Sequence, residues 1–486
     1  DDQDLEDILE QMRQEWEAAH TVTEELVHGL PSRRANVTLT ACPNGSHLWC
    51  IGGEYFSEDG KAYFYNDMHH YSPEKDEWRK FVSQTYPGPR SAHSVVASPA
   101  AGGKLYLFGG EFLSLYQNSF HHYHYRDFWV FDIPTHTWER IETKVRPSAR
   151  SGHRRMAMWK HFIVPFGGFY DPGFRTQHLK DTWIFDKQEY KWRQFEFKDS
   201  ERQPSVFNPR SGFSFLPTTD GIVLHGGYCK EYTKGKCPVG VILNDTWFLR
   251  ISLDPSLPNP ITLKREKRKT ASSVHMPMAR AGCTMTLWSA KGTGVMFGGV
   301  TDQERGEEGL EMGLTTFSLD SRYGYQLTSH GRWVTIHLKK PRKKSGGAKK
   351  KQAKSIQDAN DHDEERPVSE SKPKDEDDPD DPNLTRPMPR YNAMLAVLRN
   401  TLYIYGGIFE LGPREYTLDD FYALQLDKLE RFVCLKPSGI VIPTEAEVSS
   451  DEHGESGEES SDGDEDDEYS EGEMGSEAEG DKKAAW

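Results

Sequence analysis

The sequence predicts an all-β chain folded as a six-bladed β-propeller, and three repeating signals carry that expectation. Six short apolar runs each end in a glycine doublet: Leu48–Gly53, Leu105–Gly110, Phe162–Gly168, Ile222–Gly227, Val295–Gly299 and Leu402–Gly407. In most copies an Asp then opens a β-type run (Asp67, Asp127, Asp181, Asp245, Asp420), and a Trp follows eleven residues later at Trp78, Trp138 and Trp192. Twelve residues beyond Trp78 and Trp138 stand Arg90 (RSAH) and Arg150 (RSGH), with weaker versions at Arg210, Arg280 and Arg390. The early doublets recur every 57 to 59 residues, and a fixed period of that size marks a repeated supersecondary unit.

Each unit reads as four short strands separated by turn residues, in the second copy Ser94–Ala97, Lys104–Phe108, Phe128–Asp132 and Thr137–Glu142. A lone four-stranded sheet cannot bury both faces, so the units pack face to face around an axis. The doublet lets neighbouring backbones approach, because a side chain there would hold them apart. The Trp supplies bulk between blades. Some copies depart from the pattern: the fourth lacks its Trp, the fifth lacks its Asp and has Trp333 late, and the sixth has Phe432 where Trp is expected. With Val37–Thr40 as the first innermost strand and Phe432–Leu435 as the last outermost one, the ring closes by packing blade 1 on blade 6. Ahead of it Leu5, Ile8, Leu9, Met12 and Trp16 fall at helical spacing on an acidic segment. The expected organisation is an acidic helical extension (1–33), blades 1 to 5 (34–338), a disordered basic-then-acidic insert (339–386), blade 6 with ring closure (387–440) and a disordered acidic tail (441–486).

The glycine doublet, the spaced Trp and the Arg-Ser-x-His turn resemble the kelch repeat, over Arg34 to about Leu435. At a finer level Gly52–Phe56 (GGEYF), Gly109–Phe112 (GGEF), Phe120–Asp127 (FHHYHYRD), Arg150–Arg154 (RSGHR), Asn392–Val397 (NAMLAV) and Tyr405–Glu410 (YGGIFE) are similar to the kelch domain-containing protein 4 group, fungal members included. A charged insert before the last repeat and an acidic tail belong to the same likeness. The resemblance implies no catalytic residues.

The formal net charge is −16, yet 445–480 alone holds seventeen acidic residues and no Lys or Arg, so the remainder is near +1. No apolar run approaches the ~20 residues of a membrane span, and the acidic start does not read as a secretory leader. A cytoplasmic protein, with access to the nucleus, is the expectation. Six Cys are dilute and include no CxxC pair, and no phosphate-cradling, HExxH or GxSxG motif occurs. The His121, His122 and His124 cluster, with Tyr123 and Tyr125, has metal-ligand residue types but reads as loop packing. His93 and His153, repeated in the Arg motif, read as structural. The expectation is therefore no enzyme activity, no metal or other cofactor, no small-molecule substrate and no membrane association.

What remains is surface. The loops between second and third strands are long and share one rim with the inter-blade connections, whereas the opposite turns are short; long loops in compact repeats mark function. Their aromatics are candidate partner anchors: Tyr55, Phe56, Tyr63, Phe64, Phe112, Tyr116, Phe120, Tyr123, Phe169, Tyr170, Phe174 and Phe409. The insert begins with a basic run that includes Lys339, Lys340, Arg342, Lys343, Lys344, Lys349, Lys350 and Lys351, suited to RNA, an acidic partner or an import receptor. Lys264–Lys269 (KREKRK) is expected to project from the same rim. In the tail, Ser449, Ser456, Ser461 and Ser470 each precede an acidic residue by three positions, which suits acidophilic phosphorylation. The function read from all this is a non-enzymatic intracellular scaffold that binds protein partners through the long-loop rim. Two alternatives stand beside it: a factor associated with ribosomes or other RNA assemblies through the basic insert, and a ubiquitin-ligase substrate adaptor.

Overall fold

The apolar runs that end in glycine are buried along nearly their whole length, as in Leu48–Ile51 and Leu105–Phe108. Each is a strand covered on both faces, which is why it reads as continuously apolar rather than alternating. The computed structural model describes residues 10–15, 17–18, 22–57, 60–116, 119–195, 208–234, 237–256, 260–269, 276–305, 313–318, 321–327, 331–339, 385–411 and 414–443. Residues 1–441 form one compact unit; of the second, 442–486, only 442 and 443 are described. Six antiparallel sheets follow one another along the chain. The second consists of Ser94–Ser98, Lys104–Phe108, Phe128–Asp132 and Thr137–Arg140, close to the strands read from sequence. The first strands of the blades, Thr38–Ala41, Ser94–Ser98, Ala157–Trp159, Ser214–Pro217, Thr284–Trp288 and Met394–Leu398, touch in a closed circle around the axis. The protein is a six-bladed β-propeller.

The repeated residues hold neighbouring blades together. A Cβ on Gly109 (φ +68°) would lie 2.6 Å from the Arg150 carbonyl and 2.7 Å from the His153 ring, both in the next blade. Gly110 (φ +100°) takes up the space beside its own motif, where a Cβ would fall 2.7 Å from the Ser91 carbonyl, while its N–H donates to Arg150 O at 2.9 Å. Trp78 packs against Phe421 of blade 6, and Trp192 against Phe108 and Phe128 of blade 2. Where the fourth copy lacks the Trp, buried Ile261 joins the cluster with Trp159 and Phe162 of blade 3, and in the sixth Phe432 packs with Val295 and Phe297 of blade 5. The irregular copies thus fill the same space with other apolar side chains. Blade 1 closes on blade 6 through Leu39, Tyr71 and Trp78 against Met394, Tyr403 and Phe421.

Two expectations are corrected by the fold. The extension 1–33 was expected to be helical; residues 10–15 and 17–18 are, but Val22–Val27 is a fifth strand on blade 1, antiparallel to Glu77–Ser83 with Glu25 opposite Lys80. Its VTEELV sequence, with acids between apolar ends, merges with the acidic segment before it. The long loops, in turn, are mostly β-ribbons. Glu54–Phe56 pairs with Ala62–Phe64, Glu111–Tyr116 with Ser119–His124, Phe169–Tyr170 with Gln177–His178, and Val300–Arg305 with Gly313–Ser318. In blades 4 and 6 the ribbon continues the second and third strands past a register shift at His225/Gly227 and Tyr405/Gly407.

The Arg motif and the Asp of each copy form one clamp. In blade 2, Arg90 Nη1 donates to the Gly109 carbonyl at 3.0 Å and to Asp127 Oδ1 at 2.7 Å, while Nη2 donates to Oδ2 at 2.9 Å. Arg34–Asp67, Arg150–Asp181, Arg210–Asp245 and Arg390–Asp420 repeat the arrangement. Burial disfavours the charge on Asp127, but the guanidinium overrides it and holds the carboxyl below its ordinary range. In the fifth blade the missing Asp leaves Arg280 Nη1 on the Ser321 hydroxyl at 2.5 Å. Restoring the carboxylate with Ser321→Asp should raise stability by about 1–2 kcal/mol, the scale of a hydrogen bond to a charged group. The check is urea unfolding, where the midpoint should rise at unchanged slope; an unmoved midpoint would count against the clamp as a stabilising unit.

Candidate interaction rim and central channel

The ribbons place the candidate aromatics on one rim, where residues directly opposite one another differ in exposure: Tyr55 is half-buried and Tyr63 exposed, Phe112 half-buried and Tyr123 exposed. Tyr55 stacks on Tyr63 across its ribbon at 6.3 Å between centroids. Phe64 meets Phe112 of the next ribbon edge-on at 5.3 Å. His124 of ribbon 2 lies 5.6 Å from Phe169 and 5.2 Å from Tyr170 of ribbon 3. Tyr55, Phe64, Phe112, Phe169 and Phe409 are accordingly half-buried, while Phe56, Tyr63, Tyr123, Tyr170 and Phe174 are exposed. Tyr116 and Phe120 stand at the end of ribbon 2, where Tyr116 pairs with Ser119 and Phe120 with Leu115; their side chains lie outside the described residues. Phe174 is 88% exposed yet sits on a fixed turn. Asp171 Oδ1 accepts from the Gly173 N–H at 2.8 Å and Oδ2 from the Thr176 hydroxyl at 2.6 Å, an Asx-type closure.

Sequence reasoning missed a cleft of about 770 Å³ between ribbons 3 and 4. Its walls include Phe174, Arg175, Lys230 and Tyr232, with the Arg175 guanidinium 4.3 Å from the Tyr232 ring and the Tyr232 hydroxyl donating to Thr176 O at 2.9 Å. Burial, with Lys230 adding to it, holds His178 on the same wall down to about 4, so it is neutral at pH 7. Tyr232 follows the fourth glycine doublet by five residues, in a Lys-rich segment without alternation. Nothing in the spacing of the repeats marks that position.

The histidine run is drawn apart. His121 and His122 pair with Ser114 and Leu113 across ribbon 2; the His121 side chain lies outside the described residues. His122 is exposed; His124 is buried, with Nδ1 2.7 Å from Ser151 Oγ and Nε2 accepting from the Asp171 N–H at 3.1 Å. Tyr125 lies under the Arg90 guanidinium at 3.7 Å. Among the described residues no three His, Cys, Asp or Glu side chains are grouped to hold a metal ion. Cys229 is buried, Cys237 exposed, and both are free thiols.

The charged candidates are placed only in part. Lys339 is described and exposed, its N–H donating to Leu429 O at 2.7 Å; Lys340, Arg342, Lys343, Lys344, Lys349, Lys350 and Lys351 lie outside the described residues, as do the tail serines. Lys264–Lys267 is held in a strand and does not project as expected, while Arg268 continues to the ribbon side, its N–H donating to Thr246 O at 2.8 Å. Ile261–Lys267 is the outermost strand of blade 4, where Arg250 bridges Glu266 and Lys267 lies 5.6 Å from the Trp247 ring.

At the axis, side chains from all six blades line a cavity of about 310 Å³, among them Thr38, His93, Arg154, Ser214, Thr284 and Asn392. Glu54 and Glu111, the residues after the first two doublets, stand at blade junctions. Glu54 accepts from Asn36 Nδ2 and from the Ser91 hydroxyl, both at 2.6 Å. Burial, with Glu54 and Asp171 adding to it, pushes the Glu111 carboxyl up to about 8.

Residues 7–227 match the kelch-repeats domain family described as KLHDC2/KLHL20/DRC7. Putative protein tag-53 of Caenorhabditis elegans is 29% identical over 149 residues, which cover 29% of this chain and 11% of that protein. F-box/kelch-repeat protein At1g51550 of Arabidopsis thaliana is 27% identical over 226 residues, 45% of this chain and 40% of its own. Kelch domain-containing protein 2 of Bos taurus is 27% identical over 144 residues, 29% and 30% of the two chains. The matched region thus spans between 11% and 40% of these relatives' own length. Among solved structures, that of YjhT covers 83% of this chain and 98% of its own at 14% identity, with a TM-score of 0.49.

Proposed function

For a chain whose kelch repeats close into a six-bladed propeller, a fold that generally holds protein partners, we propose a non-enzymatic intracellular scaffold that grips its partner with the ribbon rim. The observation that carries this reading is the exposure of aromatic side chains there. Of the eight exposed aromatics among the described residues, Phe56, Tyr63, Tyr123, Tyr170, Phe174 and Tyr232 belong to ribbons 1 to 4, against Tyr86 and Tyr190 elsewhere. Rigid aromatics grouped on one surface are the usual anchors of interfaces, and a turn already closed by Asp171 lowers the ordering cost of using Phe174. The GGEYF, FHHYHYRD and RSGHR motifs place the chain, in this reading, beside the kelch domain-containing protein 4 group.

Crosslinking mass spectrometry on native complexes tests the face and names the partner together. Crosslinks should gather on Lys61, Lys180 and Lys230 of the ribbon rim rather than on Lys75, Lys160 and Lys291 of the short-turn rim. Replacing Phe56, Tyr123 and Phe174 with Ala should then weaken capture of that partner by ~2 kcal/mol or more while the melting curve stays cooperative. A fully folded triple variant that binds normally would remove this face. Crosslinks concentrated on the basic insert and lost on nuclease treatment would favour the RNA-assembly reading, and ligase subunits among the partners the adaptor reading.

A further inference from the structure

Blade 3 breaks the rule that the other five blades follow at the axis. Four residues after the motif Arg stand Thr38, Ser94, Ser214, Thr284 and Met394, and five residues after it Leu39, Val95, Phe215, Met285 and Leu395. Blade 3 puts Arg154 and Arg155 in these two places. The other blades begin their innermost strand at the first of these positions, whereas blade 3 begins only at Ala157 and keeps three residues, Ala157–Trp159. Regular pairing has been given up where the two guanidiniums enter the channel, and local departures of this kind mark functional positions.

Both side chains reach across the hole of the ring. Arg154 Nη1 donates to the Thr284 hydroxyl of blade 5 at 3.3 Å, and Nη2 donates to the Asn392 side-chain oxygen of blade 6. Arg155 Nη2 donates to the Leu395 carbonyl at 2.6 Å. All these acceptors are neutral. The contrast within the molecule is sharp: the five arginines that clamp an Asp are each in an ion pair, and neither Arg154 nor Arg155 is paired with a carboxylate among the described residues. Among those residues Glu111 is the one acid lining the cavity, and it makes no ion pair with either. Burial disfavours the charge on both arginines, and Arg154 adds to the effect on Arg155, which is lowered to about 10; both still carry their charge at neutral pH. Two adjacent, half-buried cations without a counter-ion are a costly arrangement unless something negative is held there.

We propose that the central channel is a binding site for a small oxyanion, a phosphate- or carboxylate-bearing molecule, held by the forked donors of Arg155 and Arg154 against the neutral wall of blades 5 and 6. The planar guanidinium suits two-point contact with such a group, and a cavity of about 310 Å³ is at the lower end of small-molecule sites. This site is separate from the rim and does not depend on the partner reading.

Thermal unfolding of the full chain, with sodium chloride at matched ionic strength as the reference, tests it with two probes. Inorganic phosphate should produce a saturable rise in Tm of about 5 °C, and citrate distinguishes a carboxylate preference if its midpoint concentration is the lower. Arg155→Gln should raise the midpoint for the better probe by about tenfold or more without lowering the unliganded Tm, since it removes a half-buried, unpaired charge. Arg155→Lys keeps the charge and loses the fork; it should weaken binding less than the Gln variant, and it serves if that variant does not fold. Absence of a saturable rise with both phosphate and citrate, or a rise of the same size and midpoint in Arg155→Gln, would overturn the proposal.

Discussion

Replacing Arg150 with alanine should lower the unfolding free energy by about 3–5 kcal/mol, the penalty for leaving one member of a buried ion pair alone. The Arg150 side chain is fully buried, donates to both oxygens of Asp181 at 2.8 and 2.7 Å, and also holds the Gly167 carbonyl at 3.0 Å. Removing it strands the carboxylate and frees the glycine carbonyl against which blade 4 is laid. Asp181→Ala should be similarly severe, because the guanidinium would remain without its charge partner while Trp183 Nε1 loses its acceptor at 2.7 Å. The double variant should cost less than the sum of the two, as expected for groups that act together. Arg280→Ala, whose side-chain partner in blade 5 is the Ser321 hydroxyl, should be milder. Urea unfolding of the four proteins decides the matter; a loss below ~1 kcal/mol for Arg150→Ala, less than a single charged hydrogen bond contributes, would show that the clamp positions the chain without stabilising it.

Stability should peak near pH 7 and fall on both sides. His93 and His153 are buried in the Arg motifs of blades 2 and 3, and burial holds each down to about 3 against an ordinary value near 6.5, the neighbouring motif Arg adding to the effect. A group lowered in the fold stabilises it above its unfolded pKa and withdraws that contribution as pH falls. Below about pH 6.5 the unfolded chain takes up protons that the propeller refuses, and by about pH 4 each of these histidines costs about 3 kcal/mol. His69 and His225, both lowered to about 4 by burial, act in the same direction. Glu111 has the opposite sign: its raised pKa means that the stability present below its ordinary range is lost as pH rises towards 8. Burial raises Glu54 in the same sense; the two carboxyls oppose the four histidines only in part below about pH 6.5 and set the decline above it, where the histidines add nothing further. Blade 4 carries Phe213 in the slot of His153, so His153→Phe should shift acid unfolding to lower pH, and Glu111→Gln should flatten the loss on the alkaline side of neutrality. Urea midpoints that do not move between acid and mildly alkaline buffers would contradict both assignments.

The repeat was legible because its signals lie at fixed spacing along the chain: Gly109, Asp127, Trp138 and Arg150 can be counted off and compared with the next copy. The clamp was not, although both its members stand out in the sequence. Arg90 and Asp127 are separated by a whole ribbon, and each has a sufficient local reading, one as a turn and the other as the start of a strand. The ribbons read as loops because Tyr55, Phe56, Tyr63 and Phe64 are all aromatic, so neither face alternates between apolar and polar. The strand Val22–Val27 is exposed at Thr23, Glu24, Glu25 and Leu26 and held beyond its main-chain pairing by Val22 and Val27 at its ends and by Arg79 on Glu24, a pattern too sparse to show as alternation in the sequence. At the axis, RSGHR marks Arg154 as a motif residue; that it crosses the channel to another blade is a consequence of ring closure, visible only once blades 3, 5 and 6 surround one hole.

The outer circumference of the ring has a bearing on how the molecule stays discrete. An outermost strand offers a row of unpaired N–H and C=O groups, a template on which another chain can add as in fibril growth. Each blade blunts that edge. Blade 1 moves its edge out to Val22–Val27, which carries the exposed acids Glu24 and Glu25. Blades 2 to 5 present exposed charges on the outer strand: Glu139 and Arg140, Lys191, Lys264 and Lys267, and Arg332. Blade 6, whose edge exposes Val433 and Cys434, interrupts its pairing with a register shift between Phe421 and Tyr422, and a bulge twists an edge away from flat stacking. The run of basic residues at Lys264–Lys269, whatever else it meets, is in this setting a guard against sheet-to-sheet aggregation.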